Sequence, residues 1–299
     1  MSRRFKSSKT SDLPLISCII PTFNRADKIT RAVTSVLIQT WPRLELIIVD
    51  DRSTDNTREV VQSLAEKDSR IIYLLNPGKG ATSARNYAIN HASGEFFAFL
   101  DDDDQWLPAK LEKQMACFQK HPDAGLVFTA FKRYAANQMT RRHPSRLSRI
   151  RSNKITDRLL KQNFITTSAI LVKKDVFQQV GLFDTKQKSF QDWEFLTRIS
   201  LEFTIIYLNK TLIRQYESND SITRDKKGRI LSSIRHLKKF RSVYQQKPKI
   251  LSVRYSKMGT RMRKQKRYLF ARWMFVRSLK QNSLNMNALF GLLLTKLKI

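Results

Sequence analysis

Four consecutive acids, Asp101 to Asp104, are the residues whose type and spacing best suit chemistry. They directly follow the apolar run 96–100, which is typical of a strand buried on both faces of a parallel sheet. Adjacent carboxylates repel one another, and burying them without a partner is costly. A divalent cation such as Mg²⁺ or Mn²⁺ would stabilise the cluster, because these ions prefer oxygen ligands and bridge to phosphates. The alternative is a solvated acidic turn that caps a helix beginning near Pro108.

The segment before these acids alternates between strand and helix patterns. Apolar runs predict strands over 15–20, 44–49, 70–75 and 96–100, and apolar residues at helical spacing predict three intervening helices. Short connections of this kind indicate an α/β fold with a right-handed, mostly parallel sheet and helices on both faces. Asp50 and Asp51 end the second strand, so two strands deliver acids to one edge. Ligands bind at that edge of open α/β sheets, which favours a metal-and-phosphate site over an acidic cap.

Charge is distributed unevenly along the 299 residues, whose net charge is +31. From Ser221 onward there are 22 Lys and Arg residues and one acid, Asp225. Such an excess predicts an anionic partner, either nucleic acid, a membrane surface or an acidic substrate. The two cysteines, Cys18 and Cys117, lie in apolar or helical patterns and are predicted to be buried thiols of a reducing compartment. No apolar run approaches the roughly 18 residues needed to span a bilayer, so we expect a cytoplasmic protein.

Five motifs in chain order resemble those of family-2 glycosyltransferases. They are Ile19–Arg25, Ile48–Asp55, Ala84–Asn86, Gly94–Glu95 and Leu100–Asp104, within a match that covers about 15–203. The resemblance implies the GT-A fold, a single nucleotide-diphospho-sugar-binding α/β domain placed here at 13–216. It also implies inverting transfer of a sugar from a nucleotide-diphosphate donor, assisted by Mn²⁺ or Mg²⁺. The acceptor expected from this resemblance is a saccharide or a lipid-linked sugar of cell-surface polysaccharide or lipopolysaccharide biosynthesis.

The resemblance also implies roles for individual residues. The nucleotide-sugar would be bound by Pro21, Phe23, Asn24, Asp51, Arg85 and Asp102, and the metal by Asp101 and Asp103. The side-chain chemistry agrees, because Phe23 can pack against a base and Asp51 can accept an imide N–H. For Arg85, a structural role in a helix and a contact to the diphosphate are both open.

A second acidic motif follows at Gln191-Asp192-Trp193-Glu194. The resemblance places the catalytic base here, often as Glu-Asp; Gln191 replaces the first acid, and Asp192 matches the second. Inversion by a single displacement requires one base that takes the proton of the attacking hydroxyl. The alternative is that Asp192 caps the helix that begins at this point.

The basic segments allow two interpretations each. The composition of residues 132–161 indicates either a loop over the site or a solvated insertion. Residues 217–254 are predicted to form a flexible basic segment. Residues 255–299 predict amphipathic helices with an apolar stripe formed by Met258, Met262, Leu269, Trp273 and Val276. A stripe ringed by Lys and Arg is typical of a helix on anionic lipid, here at the cytoplasmic face of the inner membrane. The alternative is a helix pair packed on the catalytic domain.

Two other functions compete with an active transferase. A nucleic-acid-binding protein would explain the net charge of +31, but the chain has no helix-turn-helix, zinc-finger or RNP motif. We therefore expect no specific nucleic-acid partner. A transferase homologue that binds a nucleotide sugar without turnover is suggested by Gln191 alone, whereas the intact Asp103 and Asp192 disfavour it.

Overall fold

The computed structural model of the chain describes residues 10–135, 138–144, 152–217 and 226–296. They form two compact units. The first contains the described parts of Met1–Ser152, Phe164–Thr185 and Arg198–Ser221, and the second those of Asn153–Asn163, Lys186–Thr197 and Ile222–Ile299. The predicted domain 13–216 therefore contributes two short segments to the second unit.

The first unit is built on one mixed sheet of nine strands among the described residues. The strands are β1 Ile16–Thr22, β2 Leu44–Asp50, β3 Ile71–Leu75, β4 Phe96–Phe99, β5 Gln105–Trp106, β6 Ala124–Ala135, β7 Gln138–His143, β8 Ile170–Lys173 and β9 Thr204–Tyr216. Their order is β3-β2-β1-β4-β8-β6-β9-β5, with β7 paired to β6. Strands β3, β2, β1 and β4 are parallel, β8 is antiparallel to both neighbours, and β9 is parallel to β6.

Helices connect these strands and continue into the second unit. They are α1 Ile29–Leu37, α2 Thr57–Lys67, α3 Ala81–His91, α4 Lys110–Lys120, α5 Ser152–Lys161, α6 Lys174–Val180, α7 Gln191–Glu202, α8 Lys226–Lys239, α9 Arg241–Gln245, α10 Pro248–Lys264, α11 Tyr268–Gln281 and α12 Met286–Lys296. Helix α1 forms where Ile29, Val33 and Val36 recur at helical spacing, and all three side chains are buried. The predicted alternation of four strands and three helices is thus confirmed.

The register of the parallel strands places their ends side by side. Thr22, the last residue of β1, pairs with Asp50, the last residue of β2. Phe99 at the end of β4 pairs with Ile19, so β4 stops three residues earlier than β1. All seven residues of β1 are buried, as expected for a strand flanked by partners in the centre of a sheet. The acids that follow β2 and β4 consequently lie at the same edge.

The described part of the basic region 132–161 is mostly not the loop that one of the two sequence interpretations predicted. Strand β6 continues to Ala135 and pairs with β7, and α5 begins at Ser152, so most of the described part is regular structure. Residues 136, 137 and 145–151 lie outside the described residues. Cys18 is a buried thiol, as predicted, whereas Cys117 is only half-buried; neither forms a disulfide.

The second unit is helical where a flexible basic segment was predicted. Within 217–254, residues 226–254 belong to α8, α9 and α10 or their short connections, while 218–225 lie outside the described residues. The physical reason is a buried apolar cluster that holds these helices, composed of Leu160, Phe240, Tyr244, Ile250 and Leu251. A second cluster joins Ile230, Met262, Ala271, Phe275 and Ala288.

The predicted apolar stripe over 255–299 is divided. Met258 and Met262 on α10 are buried, whereas Leu269 on α11 is 85% exposed. Helix α10 ends at Lys264, and Lys266 in the connection has φ of +58°, so α11 does not continue the helical phase of α10. None of the described helices is long and apolar enough to cross a bilayer.

The first residue of α4 is a buried lysine. Lys110 is fully buried, and its ammonium lies 3.9 Å from the centre of the Trp106 ring. Within the part of the chain that the structure describes, its Nζ makes no hydrogen bond. Burial lowers the pKa of Lys110 to about 7. A charge in this position opposes folding.

We predict that Lys110→Met stabilises the protein at pH 7 by roughly 1–4 kcal/mol. The unfolded chain holds the Lys110 proton up to about pH 10, but the folded chain releases it near pH 7. Stability contributed by this site therefore rises with pH across that window, and the advantage of the variant shrinks towards pH 10. Urea unfolding at pH 7 and pH 9.5 measures this, with exposed Lys113→Met on the same helix as control. An equal Lys110→Met effect at both pH values would contradict it.

Candidate active site

The loops that follow β1 and β2 are joined by hydrogen bonds. The Asn24 main-chain N–H donates to Ser53 Oγ at 2.9 Å, and Asn24 Oδ1 accepts from the Thr54 N–H at 2.8 Å. The Arg25 N–H donates to Thr57 Oγ1 at 2.8 Å. Asn24 has φ of +51°, a conformation that Asn tolerates better than most residues. The Asn24 side chain thus holds the two loops together, a role that the sequence did not indicate.

Asp50 and Asp51 have different environments despite being neighbours. Asp50 is buried and accepts a hydrogen bond from the Tyr73 hydroxyl at 2.8 Å, so its function is structural. Asp51 is half-buried and accepts from Asn76 Nδ2 at 2.6 Å and from the Gly80 N–H at 2.8 Å. These contacts fix the loop before α3 against the end of β2. Each Asp51 oxygen keeps a second lone pair for a ligand.

Phe23 and Pro21 differ in the surface they offer. Pro21 is buried inside β1 and pairs with Val49, whereas the Phe23 ring two residues later is 50% exposed. Of these two predicted nucleotide-binding residues, only Phe23 presents a ring to solvent at the carboxyl edge of the sheet. Pro21 shapes the end of the strand.

Two of the four adjacent acids are paired with arginines. Arg85 on α3 is buried and donates from Nη2 to Asp101 Oδ1 at 2.7 Å. Arg25 Nε lies 3.4 Å from Asp102 Oδ1. Arg85 therefore contacts the acidic cluster directly. A structural role in α3 and a contact to the diphosphate are compatible, because the guanidinium lies beside a carboxylate that would face a diphosphate.

Asp104 is a structural member of the cluster. It is 1% exposed and accepts hydrogen bonds from Ser168 Oγ at 2.8 Å and from the Tyr216 N–H at 3.2 Å. Burial raises the pKa of the Asp104 carboxyl well above its usual range. The alternative of a solvated acidic turn is thus wrong for Asp104, because its carboxyl is enclosed and anchors the end of β9.

Asp103 differs from the other three acids because, among the described residues, its carboxylate has neither an ion pair nor a hydrogen bond from another residue. Burial, followed by the nearby charges of Asp101 and Asp102, raises the pKa of Asp103 to about 6. Among the described residues its carboxylate makes no ion pair, although Arg31 Nη2 donates to its main-chain carbonyl at 2.5 Å. Arg31 in turn stacks on the Tyr216 ring at 3.9 Å. A cation beside Asp103 would relieve this repulsion.

The residues fit a divalent cation that is completed by a substrate. Over the described ranges, no three His, Cys, Asp or Glu side chains converge into a full set of protein ligands. Mg²⁺ and Mn²⁺ are often held by one or two carboxylates together with waters and substrate phosphates. Asp101 and Asp103 could supply those carboxylates.

Asp192 lies in the second unit, in the first turn of α7. Its Oδ2 accepts from Asn163 Nδ2 at 2.6 Å, and its Oδ1 from the Trp193 N–H at 2.7 Å. The preceding Phe190 has φ of +62°, an unfavourable conformation for an aromatic residue. Such strain is frequent beside functional residues. The structure thus orients Asp192 by a side chain 29 positions away, for which the sequence offers no signal.

Glu194, two residues after Asp192, has a different environment. Its side chain is 1% exposed and forms an ion pair with Lys239 at 2.7 Å. Arg25 and Arg31 are further residues that the sequence did not single out as partners of the acids, although Arg25 lies within the first motif.

We predict that Asp103→Asn raises the unfolding free energy of the metal-free protein by about 1–2 kcal/mol. The substitution removes a poorly compensated negative charge and leaves the shape of the side chain unchanged. Urea unfolding in the presence of EDTA measures it. As a control, Asp104→Ala should lower stability by about 2–4 kcal/mol, because it leaves buried donors unpaired. If Asp103→Asn lowered the unfolding free energy as much as Asp104→Ala, the interpretation that the Asp103 charge opposes folding would be wrong.

Comparison with known proteins places the site in a family. The family model described as glycosyl transferase family 2 matches residues 17–181. The chain is 32% identical over 215 residues to the putative teichuronic acid biosynthesis glycosyltransferase TuaG of Bacillus subtilis, covering 71% of this chain and 83% of TuaG. It is 47% identical over 108 residues to the UDP-Glc:alpha-D-GlcNAc-diphosphoundecaprenol beta-1,3-glucosyltransferase WfgD of Escherichia coli. That match covers 36% of this chain and 42% of WfgD.

The fold is also shared with solved structures. The crystal structure of S. aureus TarS 1-349 in complex with UDP-GlcNAc matches with a TM-score of 0.64 and 16% identity, covering 94% of this chain and 91% of that one. The similar structures are GT-A transferases, which confirms the predicted GT-A fold.

Proposed function

Since the chain belongs to glycosyl transferase family 2, we propose that it transfers a sugar, with inversion, from a nucleotide-diphosphate donor to a lipid-linked saccharide. The observation that supports this most is the edge of the sheet at which β1, β2 and β4 end. There Phe23 is exposed, Asp51 retains acceptor capacity, and Asp103 carries a charge without an ion pair among the described residues. This combination suits a nucleoside, a diphosphate and a cation.

The nucleoside would be held by residues at the ends of β1 and β2. The exposed ring of Phe23 can pack on the base, and Asp51 can accept an N–H from its edge. Asn24 supports both loops and would act through them. Asp102, whose carboxylate faces Arg25, is assigned to the ribose.

A divalent cation would be held by Asp101 and Asp103. When bound, it would neutralise the charge that develops on the departing diphosphate. Asp101 accepts a hydrogen bond from Arg85. The Arg85 guanidinium would therefore hold the carboxylate in position and attract phosphate oxygens.

Asp192 is the proposed base. The acceptor oxygen attacks the anomeric carbon and forms the new C–O bond while the bond to the diphosphate breaks. Asp192 takes the proton that leaves the acceptor hydroxyl, and the electron pair of the broken bond leaves with the diphosphate. Asn163 acts as a positioning residue, because its amide donates to one carboxylate oxygen and limits rotation of the side chain.

The acceptor and the place of action are inferred from relatives. The name of WfgD specifies a diphosphoundecaprenol substrate, and that of TuaG a role in teichuronic acid biosynthesis. We therefore favour a lipid-linked acceptor in cell-surface polysaccharide assembly at the cytoplasmic face of the membrane. The first step of the proposed reaction is donor binding. A thermal-shift screen with UDP-, GDP-, dTDP- and CMP-sugars, each with and without Mn²⁺, tests it. Protection by none of them would contradict a donor site.

We predict that Asp103→Asn abolishes the metal-dependent part of nucleotide binding. The variant keeps the shape of the site but loses the carboxylate proposed to bind the cation. Calorimetric titration with UDP, with and without Mn²⁺, measures it, and Asp27→Asn serves as control because Asp27 is an exposed acid of the same unit. If Asp103→Asn bound UDP and Mn²⁺ as the wild type does, the metal role of Asp103 would be wrong.

We predict that Asp192→Asn keeps the fold and donor binding but lowers sugar transfer by about 10²–10⁴-fold. Asn caps a helix about as well as Asp, so a purely capping role predicts nearly unchanged turnover. Asp157→Asn in the same unit, at a partly exposed ion pair with Lys247, is the matched control. Near wild-type transfer by a folded, donor-binding Asp192→Asn protein would refute the base. Absence of transfer in the wild type, despite donor binding, would instead favour the non-catalytic homologue.

A further inference from the structure

Helix α12 packs with its small residues inward and its large apolar residues outward. Ala288, Gly291 and Thr295 are buried, whereas Met286, Leu289, Phe290 and Leu293 are 42–71% exposed. The inward side is tightly packed, since a Cβ added at Gly291 would come within 2.4 Å of the Phe275 ring on α11. The outward side chains therefore have no place in the core of the unit. Exposure of this kind marks a surface that another body covers.

Helix α11 and the following connection show the same pattern. Their exposed large apolar side chains are Leu269, Phe270, Trp273, Val276 and, in the connection, Leu284. We call these residues and the four on α12 the apolar face. The rest of the described chain has a smaller number of exposed large apolar side chains, and these are scattered over several elements. A concentration on two consecutive helices indicates a function.

Basic residues lie among the apolar ones on α11. Arg272, Arg277 and Lys280 are exposed, and the Arg277 guanidinium lies 3.9 Å from the Trp273 ring centre. A cavity of about 430 Å³ is lined by Tyr255, Trp273, Val276, Arg277, Lys280 and Gln281. Aromatic and cationic side chains around one cavity suit an anionic group attached to an apolar body.

We propose that the apolar face docks this protein on the surface of an anionic lipid bilayer. The apolar side chains enter the boundary between headgroups and acyl chains, and Arg272, Arg277 and Lys280 contact lipid phosphates. The charge selects this occupant. From Ser221 onward the chain has 22 basic residues and one acid, so a second copy of the same surface would be repelled. The docking does not depend on the proposed transfer reaction.

Vesicle co-flotation of the full chain tests this proposal. We expect binding to phosphatidylcholine vesicles containing 30% phosphatidylglycerol to be at least tenfold tighter than to phosphatidylcholine alone. The variant Leu269→Gln/Trp273→Gln/Phe290→Gln/Leu293→Gln should lose binding at least tenfold. Its matched control, Ile38→Gln/Ile72→Gln/Leu75→Gln/Met139→Gln, changes four exposed apolar side chains of the first unit and should bind as the wild type.

A second variant separates charge from apolar contact. Arg272→Gln/Arg277→Gln/Lys280→Gln should weaken binding to the anionic vesicles by about fivefold per residue, because each basic residue near such a surface contributes about 1 kcal/mol. Equal binding of the wild type to both vesicle types, or none to either, would overturn the proposal. So would unchanged binding of the first variant. A wild-type dimer that becomes monomeric in the first variant, seen by light scattering, would assign the face to self-association instead.

Discussion

Mutual repulsion among four adjacent carboxylates is the constraint on which the site depends. The chain resolves it differently at each position. Asp101 and Asp102 form ion pairs with Arg85 and Arg25, which come from other elements. Asp104 is enclosed by hydrogen-bond donors, including the main chain of β9. These partners oblige α3, the loop after β1 and the end of β9 to meet at one edge of the sheet.

Asp103 is the position at which the described residues supply neither an ion pair nor a hydrogen bond from another residue to the carboxylate. Its carboxyl has a raised pKa because burial and two neighbouring acids act together. An arginine at ion-pair distance, as for Asp101 and Asp102, would be an internal partner for this carboxyl. An internal partner would have stabilised the apoprotein but would compete with any cation for the same oxygens. The buried, unpaired Asp103 carboxyl lowers the stability of the apoprotein, as is expected at a site that a ligand completes.

The sequence predicted the part of the fold that is governed by local pattern. Apolar runs and helical spacing located β1 to β4 and α1 to α3, and the order of the motifs indicated the family. It did not predict that α8, α9 and α10 would form over 226–254, because their stability comes from Tyr244 and its neighbours packing on Leu160, far away in the chain. Nor did it predict the contact of Asn163 with Asp192. Such pairings depend on tertiary structure, which single-residue patterns do not encode.

Distribution of charge along the chain explains why both proposed interactions can coexist. The first unit concentrates acids at a sheet edge, where Arg25 and Arg85 are paired with Asp102 and Asp101. The chain after Ser221 carries its basic residues almost without acids, so they are not consumed in ion pairs within that segment. A more even mixture would neutralise both surfaces internally. In our two proposals, this segregation leaves Asp101 and Asp103 to bind a cation with phosphates, and the basic residues of α11 to bind the phosphates of lipids.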